Sequence, residues 1–175
     1  TISTIAASVQ RMKSVMTQLR RGRSQASSKP VEMRFLASAA IDRCSDRTPV
    51  PELDISGDSV FVNANAEEFI MILSHLIRNA QDATPADGDV TVELSSDDVN
   101  ARIVIRDSGS GMTAEFIRES LFRPFKSTKG TEGMGIGAYQ AREFARSLGG
   151  DLNVGSSLGE GTQMTLHVPR VRGDL

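Results

Sequence analysis

Apolar and polar positions follow distinct rhythms along the chain. Over residues 1–21 the apolar residues Ile2, Ile5, Val9, Met12, Met16 and Leu19 recur at spacings of 3, 4, 3, 4 and 3, with polar residues between them. That is a heptad-type seam, read either as one helix of a bundle or dimer or as a lone amphipathic helix. RRGRSQASSKP (20–30) then breaks the helix with a glycine, small polar residues and a proline, and reads as a linker. Its arginines complement the helix C-terminal dipole.

From Val31 the rhythm changes. Residues 31–44 predict a short amphipathic helix, and VPELDIS (50–56) and SVFVNA (59–64) predict two strands separated by a turn at Gly57-Asp58. Residues 66–83 predict a long helix with a core stripe of Phe69, Ile72, Leu76, Ala80 and Ala83, stopped at Thr84-Pro85 because proline cannot continue it. Alternation in DVTVEL (89–94) and ARIVIRD (101–107) predicts a hairpin. An irregular, glycine-rich stretch runs from 108 to about 134, followed by a helix over roughly 136–148 closed by Gly149-Gly150. Two last strands, DLNVGS and TQMTLHVP, flank the turn SLGEG. Helices and hairpins mix without strict βαβ alternation. The expected fold is an α+β two-layer sandwich, a mixed and mainly antiparallel sheet covered on one face by helices.

Composition narrows the class. With 175 residues, 39% hydrophobic and 24% charged, the chain suits one globular domain with an appendage. The net charge of −2 gives no support to nucleic acid as a partner. No apolar run approaches the roughly 18 residues of a membrane span, and no signal-peptide pattern is present. The single cysteine, Cys44, precludes an intrachain disulfide framework and fits a reducing compartment. The chain starts at Thr1 with residues that read as mid-helix, so it is expected to be part of a longer protein.

Three stretches carry candidate chemistry. On the helix 66–83, Glu68, His75, Asn79 and Asp82 fall at spacings of 7, 4 and 3 and share a face. That face is either solvated or part of a Mg²⁺ shell, in which Asn79 supplies a neutral oxygen. In IVIRDSGSGM (103–112) a strand ends at Asp107 and is followed by Gly109 and Gly111. This is either a common turn or a carboxylate able to accept hydrogen bonds from an exocyclic amine and water, with glycines that let a base or ribose approach. In LFRPFKSTKGTE (121–132), Phe122 and Phe125 bracket Pro124. Lys126 and Lys129 either are solvated or serve as point charges for phosphate oxygens.

GMGIG (133–137) then opens a helix, where unpaired N–H groups and the dipole favour an anion. Gly133, Gly135 and Ala138 satisfy the GxGxxG/A pattern of dinucleotide-binding folds, but a polar, proline-containing loop precedes them where that fingerprint needs a buried strand. The chain has no Gly-Lys pair, so no Walker-type phosphate loop is present.

Asn79, DSGSGM, LFRPFKSTK and GMGIG resemble, in order and spacing, the N, G1, F and G2 boxes of sensor histidine kinases, whose superfamily also holds the gyrase, Hsp90 and MutL ATPases. SLGGDLNVGSSLGEGTQMTLHVP looks like that family's C-terminal hairpin. The resemblance covers about residues 31–169. FKSTKG and GMGIGAYQAREF further resemble the PrsK-like kinases of exosortase/PEP-CTERM systems.

The resemblance implies a cytoplasmic ATP-binding catalytic domain that uses Mg²⁺ and has the Bergerat fold. It divides the chain into a dimerisation and phosphotransfer helix (1–22), a linker (23–30), the catalytic domain (31–170) and a tail (171–175). Asn79 would bind Mg²⁺, with His75, Asn79 and Lys129 as catalytic residues. Asp107 would read the adenine amino group, Gly109, Gly111 and Met112 would line the adenine pocket, and Thr162 would lie behind the base. Asp82, Phe125, Lys126, Lys129, Gly133, Gly135, Ile136 and Gly137 would complete the nucleotide site, the glycines also hinging a lid of about 110–134. Implied partners are the kinase's own dimerisation and phosphotransfer helices, a homodimeric mate and a response-regulator receiver domain.

Two departures stand out. His75 occupies a position where many histidine kinases carry an asparagine and the hydrolytic relatives a glutamate base, which argues against fast ATP hydrolysis. It either touches the metal shell or is structural. Neither His75 nor His167 is followed by an acidic residue, as expected of a phosphoacceptor. The alternative expectations are a degenerate ATP-sensing or partner-docking module and a gyrase- or Hsp90-type ATPase.

Overall fold

The computed structural model describes residues 28–124 and 137–172. The expected N-terminal helix, the linker up to residue 27 and most of GMGIG lie outside the described residues, as do Phe125, Lys126, Lys129, Gly133, Gly135 and Ile136. The chain builds β1 (Lys29–Glu32), α1 (Met33–Cys44), β2 (Glu52–Ile55), β3 (Phe61–Ala64), α2 (Ala66–Ala83), β4 (Val90–Ser96), β5 (Asn100–Asp107), α3 (Gly137–Ser147), β6 (Asp151–Ser157) and β7 (Gly161–Val171). A short helical turn at Ala114–Phe116 leads into a widened π-type turn at Ile117–Leu121.

α2 is specified at both ends. The Asn65 side chain accepts the Glu68 N–H (2.9 Å) and caps the N-terminus, where Glu67 and Glu68 complement the dipole. At the other end the Thr84 hydroxyl donates to the Ala80 carbonyl (2.6 Å), and Pro85 prevents a further turn. Between these ends Phe69, Ile70, Ile72, Leu73, Leu76, Ile77 and Ala80 are buried. Phe69 meets Phe144 of α3 edge to face, with ring centroids 5.2 Å apart. The α1–β2 loop is pinned to α2 by Gln81, whose buried amide donates to the carbonyls of Cys44 (2.9 Å), Arg47 (3.2 Å) and Pro49 (3.0 Å).

The strands form one mixed sheet in the order β1-β3-β7-β5-β4-β2, with β6 pairing residues 161–167 of β7 while β3 pairs residues 170–171. All pairs are antiparallel except β2 with β4. One face is apolar: Val90, Val92 and Leu94 on β4, Ala101, Ile103 and Ile105 on β5, and Leu152, Leu166 and Val168 on β6 and β7 are buried in the core they share with the helices. The other face is polar, carrying Glu93, Arg102, Arg106, Asn153, Gln163 and His167. There Arg106 pairs with Glu93 (2.8 Å) and donates to Gln163. The expected two-layer sandwich is therefore present, with period-2 alternation setting its faces.

Three local expectations are corrected. Val31 and Glu32 extend β1 instead of starting the helix, because β-branched Val31 pairs opposite Val62 and buries its side chain. The two strands expected on either side of the Gly57-Asp58 turn are present at 52–55 and 61–64, but shorter than 50–56 and 59–64, and they pair elsewhere, the first with β4 and the second with β1 and β7. Within the stretch expected to be irregular, Thr113 accepts the Phe116 N–H through its hydroxyl (3.1 Å) and starts a turn of helix too short for periodicity to show.

Replacing Gln81 by Met keeps its length but strips three carbonyls of their donor. Gln81→Met is expected to lower the unfolding free energy by about 1–3 kcal/mol in chemical denaturation, with no change in oligomeric state.

Candidate functional site

The site grows out of the register of three neighbouring strands. Ile103, Leu166 and Leu152 stand abreast on β5, β7 and β6; two residues further on stand Ile105, Met164 and Val154; two further still stand Asp107, Thr162 and Ser156. Side chains two apart share a face, so the third row continues the apolar face as a polar one. The chain thus sets a carboxylate and two hydroxyls at the end of the core.

This polar row is tightly organised. Asp107 Oδ1 accepts the N–H of Gly109 (2.9 Å) and the N–H of Thr162 (3.2 Å), and among the described residues Oδ2 takes no hydrogen bond. Ser156 Oγ accepts the Met112 N–H (2.8 Å), donates to the Gly161 carbonyl (2.8 Å) and lies 2.9 Å from Thr162 Oγ1. Burial pushes the Asp107 carboxyl above its ordinary value of 3.8, partly offset by the two N–H donors.

The loop after Asp107 is clamped from both sides. The Ser110 N–H caps the Ala83 carbonyl at the end of α2 (3.1 Å), and the Ser110 carbonyl accepts the Gly159 N–H from the β6–β7 turn (2.8 Å). A side chain at Gly109 would overlap the Ala83 carbonyl. Gly111 has φ +70, and a side chain there would overlap the Ser157 carbonyl. Both glycines are needed for this clamp to close.

The sequence-derived residues divide into three groups. Asp107, Gly109, Gly111, Met112 and Thr162 come together through the contacts above. Asn79 is half-buried on α2, and a Cβ built on Gly137, the first residue of α3, would lie 3.2 Å from its Nδ2, so Asn79 adjoins the helix start. His75, one turn earlier, is exposed and makes no side-chain hydrogen bond among the described residues. The Asp82 carboxylate is engaged with Arg47 (3.3 Å) on an exposed edge. The remaining candidates lie outside the described residues.

Two contributors were not read from the sequence. Ser156 joins the polar row, and the cue was available: Leu152, Val154 and Ser156 share a phase, so the last of them must end an apolar face. Arg142 on α3 places its guanidinium 4.4 Å from the centroid of Phe122 and also reaches Asp151 (3.1 Å), which Arg146 contacts too (3.2 Å). Burial raises the Asp151 carboxyl, but the Leu152 N–H and the two arginines outweigh it and hold the group below its ordinary value.

The helix-covered face of this two-layer sandwich thus ends in a half-buried carboxylate, the loop after it caps the last turn of α2, and the start of α3 adjoins Asn79 on that helix. The family model described as histidine kinase-, DNA gyrase B-, and HSP90-like ATPase matches residues 64–172, more than half of the chain, and the chain belongs to that family.

Curated relatives include the histidine protein kinase DivJ of Caulobacter vibrioides, 35% identical over 112 residues, covering 62% of this chain and 19% of DivJ. A probable C4-dicarboxylate sensor kinase of Halalkalibacterium halodurans is 31% identical over 127 residues, covering 68% of this chain and 24% of the kinase. The chain thus spans about a fifth to a quarter of these relatives. Among solved structures, the mycobacterial sensor histidine kinase MprB superposes with a TM-score of 0.72 at 23% identity, covering 82% of this chain and 97% of MprB. Full-length ShkA in complex with AMPPNP gives a TM-score of 0.72 at 24% identity, covering 84% of this chain and 32% of ShkA. These structures share the fold.

Alanine at Gly111 must adopt a left-handed backbone against the Ser157 carbonyl. Gly111→Ala is expected to lower stability by at least about 1–2 kcal/mol, read as a reduced melting temperature with native far-ultraviolet dichroism.

Proposed function

We propose that this chain is the ATP-binding catalytic domain of a sensor histidine kinase, delivering the γ-phosphoryl of Mg·ATP to a histidine on a phosphoacceptor helix for relay to a response-regulator aspartate. The observation that carries the reading is the fixed, half-buried Asp107 carboxylate in line with Thr162 and close to the end of the Asn79 helix. Oδ1 is occupied by backbone donors, so Oδ2 is the acceptor left for an exocyclic amine, the feature that marks adenine. The relatives named as sensor kinases favour phosphotransfer over a gyrase-type hydrolase or a bare binding module.

In this reading Gly109, Gly111 and Met112 line the base, and Thr162 backs it. The first turn of α3 at Gly137, with Gly133, Gly135 and Ile136 before it, offers N–H groups to the phosphates, and Lys126 and Lys129 offer charge. Phe125 and Asp82 complete the nucleotide site. His75 borders it as a catalytic neighbour of Asn79.

The donor set fits a magnesium ion, which takes few protein oxygens and keeps the rest as water and phosphate. Asn79 would hold it, and among the described residues no cluster of three or more His, Cys, Asp or Glu side chains competes for a metal. Such an ion, when bound, neutralises phosphate charge. The chain's own work is positioning: holding the base at Asp107 and the phosphates at α3 so that the γ-phosphoryl lies open to an incoming imidazole.

No helix among the described residues is long and apolar enough to cross a membrane. We place the domain in the cytoplasm, acting with its own dimerisation and phosphotransfer helices in a homodimer and with a receiver domain.

Asp107→Asn separates recognition from folding, because the amide keeps an oxygen for the Gly109 and Thr162 donors while exchanging the free acceptor for a donor. A carboxyl whose pKa is raised on folding opposes folding above that pKa and ceases to do so as pH falls through it. The variant is therefore expected to be at least as stable as the native chain at pH 7, yet to bind ATP at least tenfold more weakly by titration calorimetry (about one charged hydrogen bond). Unchanged affinity would refute the base-reading role.

The native chain should also lose ATP affinity on acidification, beginning at a higher pH than an ordinary aspartate would give, as Asp107 protonates, read as a falling binding constant across a pH series. With a phosphoacceptor domain supplied, Asn79→Ala is expected to abolish phosphotransfer, measured with γ-labelled ATP.

A further inference from the structure

Hydrogen bonding at the polar row has a proton count that closes in one way. The Gly161 carbonyl can only accept, so its 2.8 Å approach to Ser156 Oγ uses the single proton of that hydroxyl. The Met112 N–H takes one lone pair of Ser156 Oγ at 2.8 Å. The contact with Thr162 Oγ1 at 2.9 Å then has only one possible donor, the Thr162 hydroxyl, giving its proton to the remaining lone pair of Ser156. Ser156 is saturated. Thr162 has spent its proton, and what its oxygen can show to any further group is lone pairs alone.

We infer that Ser156 is a specificity-positioning residue: by fixing the Thr162 hydroxyl as an acceptor beside the Asp107 carboxylate, it makes the base end of the cleft accept hydrogen bonds only, and so excludes purines with a keto oxygen at position 6. The inference rests on the nucleotide reading above and deepens it.

A 6-amino purine brings hydrogens to such a site. Hypoxanthine and guanine carry an oxygen at position 6 and place their extra proton on N1, so a base seated with position 6 toward Asp107 Oδ2 and the Thr162 lone pairs would set oxygen against oxygen with no proton between them. Ser156 need not touch the base to do this. It acts through Thr162, which lies opposite Asp107 on one side and opposite Ser156 on the other. The same serine holds Met112, so one hydroxyl sets both the proton direction at the pocket floor and the course of the loop beside it.

The test is titration calorimetry of the 175-residue chain with ATP and with inosine triphosphate. The native chain is expected to prefer ATP. In Ser156→Ala the Thr162 proton is released and can turn to meet a keto oxygen, so the preference should fall roughly tenfold. Ser156→Thr keeps the hydroxyl and should restore it. Thr162→Val, which keeps size and strand propensity, should lose the preference by a similar factor, and Ser156→Ala with Thr162→Val should lose no more than either alone.

A Ser156→Ala protein that folds and keeps the native ratio would overturn the inference while leaving ATP binding intact. Should that variant fail to fold, Thr162→Val decides the matter, and a native ratio there overturns the inference equally. A native chain that binds both nucleotides alike overturns the specificity role alone. One that binds no ATP at all overturns the nucleotide reading, and this inference with it.

Discussion

Asp107 stands at the end of a buried strand and uses one oxygen to bind two backbone N–H groups, one from the loop that follows it and one from the strand beside it. That double grip fixes where β5 stops, how the glycine loop turns and where β7 begins, and it leaves the second oxygen for something else. A partly buried carboxylate is unfavourable by itself, which is why its acid strength is weakened. Folding tolerates it because two donors are aimed at it. The same arrangement that offsets the burial also fixes the direction of the second oxygen.

The helices are tied to one another and to the neighbouring loop. Gln81 secures the α1–β2 loop to α2, and the edge-to-face contact of Phe69 with Phe144 secures α3 to α2. Asn79 and Gly137 then meet where the two helices approach. Arg142 extends the connection outward, stacking on Phe122 while bonding Asp151 at the start of β6. Asn79, Asp107 and Thr162 are thus positioned by one connected scaffold.

Much of this was legible in the sequence. The long α2, with its apolar stripe and its Thr84-Pro85 stop, carries strong periodicity and sits where expected. The β4–β5 hairpin does too, because Asp97 at the turn accepts the Val99 and Asn100 N–H groups (2.9 and 2.8 Å) and fixes its register. Asp107, Gly109 and Gly111 stood out as a strand-end carboxylate followed by two glycines, and the structure brings them together in one clamped loop. What could not be read locally was pairing at a distance. β2 lies parallel to β4 with a strand and a helix between them in the chain, and Val31 became a strand residue because Val62 was there to meet it. Ser156 shares the phase of Leu152 and Val154, but that it stands abreast of Thr162 and Asp107 follows only from the register.

We propose that nucleotide enters at the row formed by Asp107, Thr162 and Ser156. Backbone amide spectra of the isotope-labelled chain, recorded while an ATP analogue is added, test it most directly. The Gly109, Gly111, Met112 and Thr162 amides are expected to shift most among those assigned outside the 125–136 segment. Entry at this row would be contradicted if these stayed fixed while amides on the polar sheet face, around Arg102, Arg106 and His167, moved instead.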